Sequence, residues 1–164
     1  MTPIKIDKEN KKKQILLAAM NVFRRQGIAK TKMIDIAEEA GIGKGTIYEY
    51  FTSKDEIFKA SFDLFLGQAE AMVTARLSDI PDPLNKLTTW IDSWIESFAE
   101  SGDMMHVLMD YWAEGIRTSH DTTLLDIDKL YHDLRLRVMA ILDEGIEKGI
   151  FEPVNSKVTA SILI

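Results

Sequence analysis

Hydrophobic residues recur at steps of three and four along almost the whole chain, whereas the alternation typical of β-strands is nearly absent. This spacing predicts a first helix over residues 9–26, preceded by a mobile arm over residues 1–9. Gly27 follows, where a residue with positive φ often ends a helix. The first apolar stripe contains Ile15, Leu16, Ala19, Met20 and Phe23.

The next two predicted helices are short, over residues 33–40 and 44–51, and a glycine-containing turn over residues 41–43 joins them. Ser53 and Glu56 then form an S-x-x-E capping box, which predicts the start of a long fourth helix.

Prolines and glycines divide the rest of the chain into further helices. Breaks are predicted at Pro81, Pro83 and Gly102. The predicted helices after them span residues 84–98, 104–116, 127–149 and 154–164. The pattern therefore predicts an all-α protein with a three-helix head over residues 1–52 and a helical-bundle body over residues 53–164. Because the last apolar pattern stops at Ile164 without a cap, we expect the chain to be truncated at this end.

Composition narrows the class of protein. Of the 164 residues, 46% are hydrophobic and 28% charged, as in a globular domain. The chain has no cysteine, which excludes disulfides and thiolate chemistry and fits a cytoplasmic protein. No apolar run approaches the roughly 20 residues that span a bilayer, so no membrane association is expected.

The charge is unevenly distributed. Residues 1–59 carry a net charge of +4 and residues 60–164 carry −10, within a total of −6. A basic head on an acidic body suggests that the head binds a polyanion, although chance clustering would give the same numbers.

Residues 31–56 hold the most informative pattern, a short helix, a glycine turn and a second short helix, which is the helix-turn-helix arrangement. Ala37 and Ala40 are small enough for close helix packing, and Gly41 supplies a positive φ at the end of the first helix. The residues predicted to fill the inside of the corner are Ile36, Ile42 and Ile47.

The outer face of the second short helix has side chains that suit DNA. Lys44 lies at its N-terminal end, where backbone amides favour phosphate, and Gly43 and Gly45 permit close approach. Thr46 can contact a base edge, and tyrosine hydroxyls can reach phosphate. The predicted DNA-binding residues are Thr31, Lys32, Gly43, Lys44, Gly45, Thr46, Tyr48, Tyr50 and Lys54. Lys11, Lys12, Lys13 and Lys30 extend the basic footprint. Tyr50 has an alternative, which is to pack under the fourth helix.

This segment resembles the DNA-binding domain of the TetR family of transcription regulators over about residues 10–60. Two positions depart from the family pattern: Lys32 stands where threonine is frequent, and Gly43 where serine is frequent. The residues that fit the pattern are Ile36, Ala37, Ala40, Gly41, Ile42, Gly43, Gly45, Thr46, Ile47, Tyr48, Tyr50, Phe51, Ser53, Lys54, Asp55 and Ile57.

The resemblance implies a ligand-responsive repressor that binds a palindromic double-stranded DNA operator as a homodimer. It also implies an effector pocket in the body, for which large adaptable side chains are candidates: Phe62, Phe65, Met72, Trp90, Trp94, Phe98, Met105, Met109, Trp112 and Tyr131. Such a pocket suits a lipophilic small molecule. Acids close to these aromatics in sequence would suit a cationic one: Asp92, Glu96, Asp110 and Glu114.

Other classes of function have weaker signals. Residues 41–46 fail the phosphate-loop motif, because Glu38 and Gly45 stand where it needs Gly and Ser or Thr. His106 with Asp110, four residues apart, is too weak a pair to predict a metal site. No nucleophile and base are arranged for catalysis, so neither an enzyme nor a cofactor is expected. The alternative is a helical protein–protein adaptor that does not bind DNA specifically.

Overall fold

The computed structural model describes residues 3–100, 102–118 and 126–164, except for the side chains of residues 3–6, 103, 114–118 and 127. Every regular element in that part of the chain is an α-helix, which confirms the all-α class. In order, the helices are α1 (Pro3–Gln26), α2 (Met33–Glu39), α3 (Lys44–Tyr48), α4 (Lys54–Leu77), α5 (Pro83–Glu100), α6 (Gly102–Thr118), α7 (Ile127–Glu147) and α8 (Ser156–Leu163).

Two helices of the head differ from their predicted extents. α1 begins at Pro3, so the mobile arm predicted over residues 1–9 is wrong from residue 3 onward, and residues 1 and 2 lie outside the described residues. Lysine and glutamate, which dominate residues 8–13, are good helix formers. α3 ends at Tyr48 instead of residue 51. The amides of Glu49 and Tyr50 donate to carbonyls three residues back, at 3.1 Å each. This tighter pattern commonly ends a helix.

The predicted breaks at Pro83 and Gly102 lie at boundaries between helices, where each residue begins the next helix. Pro83 is the first residue of α5, where its missing N–H leaves no intrahelical bond unmade. The Asp82 carboxylate caps this helix by accepting from the Asn85 amide at 2.8 Å. Gly102 is likewise the first residue of α6.

The chain packs as two compact units. Unit 1 comprises Met1–Gly67 with Ser101–Leu124, and unit 2 comprises Gln68–Glu100 with Leu125–Ile164. The division into a head of residues 1–52 and a body of residues 53–164 stays a prediction.

Unit 1 is built on an aromatic and aliphatic core. The rings of Phe58 in α4 and Tyr111 in α6 stack with their centroids 4.3 Å apart, and Phe23 of α1 meets Phe58 edge-on at 6.4 Å. Ile36 of α2 and Ile47 of α3 are completely buried. Each helix of this unit thus contributes its apolar side to one core.

In unit 2, α5 packs on α7 and α7 on α8, with Trp90, Trp94 and Val138 buried. The Glu144 carboxylate accepts hydrogen bonds from the ammonium groups of Lys148 and Lys86, each at 2.6 Å. These two bonds, that of Lys148 first, lower the pKa of Glu144. Lys86 thereby ties α5 to α7.

Within the described residues, no helix combines the length and apolarity that crossing a bilayer requires.

The end of α7 has a glycine, Gly145, at a position with no room for a side chain. The Phe151 ring lies against Gly145, and the Gly145 carbonyl accepts from the amides of Ile150 and Phe151 at 2.9 and 3.1 Å. A methyl group on Gly145 would occupy the space of that ring.

Gly145→Ala is therefore expected to lower the free energy of unfolding by about 1–3 kcal/mol, because the added methyl group overpacks this site. Gly67→Ala is the matched control, because Gly67 lies inside α4 with open space around its Cα. It should stabilise the protein by about 0.5–1 kcal/mol through helix propensity. Thermal denaturation of both variants tests this: equal shifts would show that the Phe151 ring moves aside at little cost.

Candidate nucleic-acid interface

The turn between α2 and α3 is built on a glycine in the left-handed region. Gly41 has φ +65°, which an L side chain adopts only with strain. The Gly41 amide donates to the Glu38 carbonyl at 3.1 Å and the Ile42 amide to the Ala37 carbonyl at 2.9 Å. These bonds satisfy the last carbonyls of α2 and turn the chain into α3.

The inside of this corner is apolar and closely packed. Ile36, Ala37, Ala40 and Ile47 are at most 3% exposed, as the spacing predicts. Ile42, predicted to be buried with them, is only half-buried at the edge of the turn. Burial of Ile47 on this corner fixes which face of α3 points outward.

The outward face of α3 presents the predicted side chains. Lys44, Gly45 and Tyr48 are exposed, and Thr46 is half-buried. Gly43 precedes the helix in extended conformation and is exposed as well. These residues form one continuous surface, because α3 is only five residues long.

Thr31 is buried, whereas a residue that contacts DNA would have to lie on the outer surface. Its side chain is 3% exposed, and its hydroxyl donates to the Gly27 carbonyl at 2.7 Å. Thr31 thus closes the turn between α1 and α2 from inside. The next residue, Lys32, is exposed; the Asp35 carboxylate accepts from its backbone amide at 2.9 Å.

Lys54 is half-buried, and its ammonium group is bonded to backbone carbonyls. It donates to the carbonyl of Ile28 at 2.7 Å and to that of Ala29 at 3.3 Å. Lys54 is the first residue of α4, and both acceptors lie in the turn after α1. The side chain therefore joins α4 to the α1–α2 turn, and two of its three donors are occupied.

The predicted capping box at the start of α4 forms with one difference. The Ser53 hydroxyl accepts from the Glu56 amide at 3.1 Å, as expected. The Glu56 carboxylate reaches one residue further back, to the amide and hydroxyl of Thr52 at 2.7 and 2.8 Å. These two hydrogen bonds, the amide's first, lower the pKa of Glu56, and the charge of Lys12 acts in the same direction.

Tyr50 is half-buried, and the ammonium nitrogen of Lys8 lies 6.0 Å from its ring centroid. Sequence reasoning missed Lys8, because the predicted mobile arm included it. The signal was the spacing of Lys8, Lys11 and Lys12 with Ile15, which continues the apolar stripe of α1.

The predicted effector residues fall into two packed aromatic groups. In unit 1, Phe62 lies between Phe58 and Phe65, with ring centroids 6.4 Å apart on each side, and Met105 and Trp112 are half-buried. In unit 2, Trp94 contacts Trp90 at 6.3 Å and Phe98 at 5.9 Å. The remaining candidates are exposed: Met72, Met109 and Tyr131.

The acids expected near these aromatics are differently placed. The Glu96 carboxylate pairs with the Arg76 guanidinium at 2.5 Å. Asp110 lies beside Gly27, and Asp92 is exposed. The Glu114 side chain falls outside the described residues. Among those that are described, no group of three His, Asp or Glu gathers as metal ligands would.

Comparison with known proteins supports the sequence resemblance. Residues 15–61 match the model of the bacterial regulatory proteins of the tetR family. The uncharacterized HTH-type transcriptional regulator YfiR of Bacillus subtilis is 29% identical over 163 residues, which cover 97% of this chain and 78% of that protein.

Solved structures share the fold. The regulator FadR of Bacillus subtilis in complex with stearoyl-CoA has a TM-score of 0.72 and 22% identity, over 92% of this chain and 79% of that one. A transcriptional regulator of Saccharomonospora viridis in complex with choline has a TM-score of 0.76 and 21% identity, over 94% and 79%. The match over residues 15–61 and the regulator relative, together with the exposed third helix on its buried corner, place the chain in the TetR family of helix-turn-helix DNA-binding transcriptional regulators.

Proposed function

We propose that this regulator is a ligand-responsive repressor that binds a palindromic DNA operator as a homodimer. The observation that carries the proposal is the position of α3, which buries Ile47 and exposes Lys44 and Tyr48. A short helix held this way is shaped to enter a major groove. Occupying a promoter in this manner excludes polymerase and represses the gene.

The proposed DNA surface consists of side chains with distinct roles. Lys32 and Lys44 neutralise phosphates, and the hydroxyls of Tyr48 and Tyr50 donate to phosphate oxygens. Gly43 and Gly45 let the backbone approach closely, and Thr46 contacts a base edge. Thr31 and Lys54 support this surface through their hydrogen bonds to the α1–α2 turn.

A homodimer would place two copies of α3 in successive major grooves about 34 Å apart on one side of the duplex. Both copies of α3 can contact their half-sites at the same time only if the separation of the copies matches the spacing of the half-sites. Operator affinity therefore depends on the separation of the two heads, and a ligand that changes the separation releases the DNA.

The effector is proposed to be a lipophilic small molecule that carries a positive charge and a hydrogen-bond acceptor. Trp94 is 8% exposed, and no described group accepts from its indole Nε1. A buried donor without an acceptor is costly, so a ligand acceptor there would be favourable. The relative crystallised with choline supports a cationic ligand, and the stearoyl-CoA complex supports an acyl chain.

The proposed mechanism is a population shift. The effector inactivates the repressor only if it binds the conformation with low operator affinity more tightly than the other. α4 is the proposed lever, because it begins directly after the helix-turn-helix and continues to Leu77.

Lys44→Ala and Lys54→Ala should weaken operator binding in different ways. Lys44→Ala is expected to reduce the slope of log K against log salt by about 0.9, since one phosphate contact is lost. Lys54→Ala should leave that slope unchanged. It should lower the free energy of unfolding by about 1 kcal/mol, because two carbonyls lose a charged donor. Fluorescence anisotropy across a salt series and thermal melts measure both. A reduced slope for Lys54→Ala would show that its ammonium contacts DNA.

Selection from a random pool of duplexes should enrich an inverted repeat with half-site centres about one helical turn apart. Lys129→Ala, which removes an exposed cation of α7, should enrich the same repeat. A motif without repeat symmetry would contradict the homodimer. No enriched motif would favour the adaptor, which binds no specific DNA.

Decanoylcholine and its uncharged analogue 3,3-dimethylbutyl decanoate share an acyl chain and an ester acceptor. Both should raise the melting temperature and release operator DNA, the cation more strongly. At 100 times its Kd a ligand stabilises by about 2.7 kcal/mol. Trp94→Phe, which keeps a ring and removes the donor, should reduce both effects. If the decanoate anion stabilises the protein and decanoylcholine does not, the cationic effector is ruled out.

A further inference from the structure

A cavity of about 370 Å³ lies beside the C-terminal end of α1, within unit 1. α6 packs against α1 and supplies one wall, so we call it the α1–α6 cavity. Its volume is within the range of small-molecule sites in proteins. None of its lining residues in the described part of the chain is aromatic, so it differs from the aromatic groups considered above. The lining residues are Arg25, Gln26, Gly27, Ala29, Lys30 and Asp110.

Asp110 reaches the end of α1 because residue 27 has no side chain. The Asp110 Oδ2 atom lies 3.1 Å from the position that a Cβ on Gly27 would occupy. Its place on α6 is fixed by the next residue, Tyr111, whose ring stacks on that of Phe58. The carboxylate therefore lies at the carbonyl end of α1, where the helix dipole attracts a cation and disfavours a further negative charge.

Lys30 and Asp110 have opposite charges on the walls of this cavity, and they do not neutralise each other. Among the described side chains, neither forms an ion pair, with the other or with a third residue. Both are exposed to solvent. Two opposite charges that are held apart in this way are complementary to a ligand with the reverse pair, an ammonium group and a carboxylate.

The remaining walls are fixed by hydrogen bonds to other elements. The Arg25 guanidinium donates to the Glu39 carboxylate at 3.1 Å, and the Gln26 amide donates to that of Asp35 at 2.9 Å. Arg25 keeps further donors, because a guanidinium has five. A ligand therefore meets a wall that is already ordered, which lowers the entropic cost of binding.

We propose that the α1–α6 cavity binds a small zwitterion of the α-amino acid class. Its ammonium group contacts the Asp110 carboxylate at the carbonyl end of α1, and its carboxylate contacts the Lys30 ammonium. The remaining donors of Arg25 take an oxygen of the ligand's side chain. A neutral side-chain oxygen suits this position best, because the Glu39 carboxylate already lies against Arg25. This site goes beyond the proposed function, whose effector is lipophilic.

L-glutamine is the probe, because it combines the zwitterion with a neutral side-chain oxygen. Isothermal titration of the full chain without DNA should show saturable binding at one site. Two analogues each remove one charge: glutaramate has no ammonium group, and the amine formed by decarboxylating L-glutamine has no carboxylate. Each should bind about ten- to a hundred-fold more weakly, since one charge-assisted contact is lost.

Two variants assign the ends of the ligand. Asp110→Asn should weaken L-glutamine binding about tenfold or more and leave glutaramate binding unchanged, because glutaramate has no ammonium group to lose a partner. Lys30→Gln should weaken both and leave the decarboxylated amine unchanged. Asp7→Asn is the matched control, because it makes the same substitution at an exposed position near the other end of α1. It should keep the wild-type affinity for L-glutamine.

The proposal is overturned if the wild type does not bind L-glutamine, or if it binds both analogues as tightly. It is also overturned if Asp110→Asn weakens glutaramate as much as L-glutamine, or if Asp7→Asn weakens L-glutamine as much as Asp110→Asn does. Analogue binding to the wild type needs no variant to fold. Operator binding is measured separately, so a failure to bind DNA would sink the proposed function and leave this site standing.

Discussion

Burial of Ile47 against the corner formed by Ile36, Ala37 and Ala40 is the interaction on which the proposed DNA-facing surface depends. A helix of five residues has no stability of its own in water, because nucleation is costly and few hydrogen bonds repay it. α3 exists because its apolar side packs on α2 and because Gly41 bends the chain to bring it there. The same packing exposes Lys44 and Tyr48, so core formation and site formation are one event.

A second constraint lies in the turn between α1 and α2, where side chains satisfy backbone carbonyls that no helix can satisfy. Thr31 bonds the Gly27 carbonyl, and Lys54 bonds those of Ile28 and Ala29. The turn is thereby tied to the first residue of α4. Lys54 therefore has a structural role, because its ammonium group adds a charged donor to two carbonyls of this turn, of which that of Ile28 also accepts from the Thr31 amide at 3.1 Å.

Electrostatics separates the two ends of the chain. Among the described side chains, no carboxylate forms an ion pair with Lys8, Lys11 or Lys12. Carboxylates of both units pair with other cations, as Glu39 does with Arg25 and Glu144 with Lys86. The net charge of −10 beyond residue 59 repels a polyanion. This distribution supports the proposal that a duplex contacts the lysine-rich residues.

The sequence by itself determined the helical class, the helix-turn-helix, the glycine at its bend and the exposed face of α3. Each of these depends on residues within a few positions of one another, and local spacing records them. Tertiary structure decided the rest: the burial of Thr31, the partners of Lys54, which lie 25 and 26 residues away, and the position of Lys8 beside Tyr50. It also decided that the helix already begins at Pro3 and that Glu96 pairs with Arg76. These contacts join distant parts of the chain, and only packing brings their atoms within hydrogen-bonding or Coulombic reach.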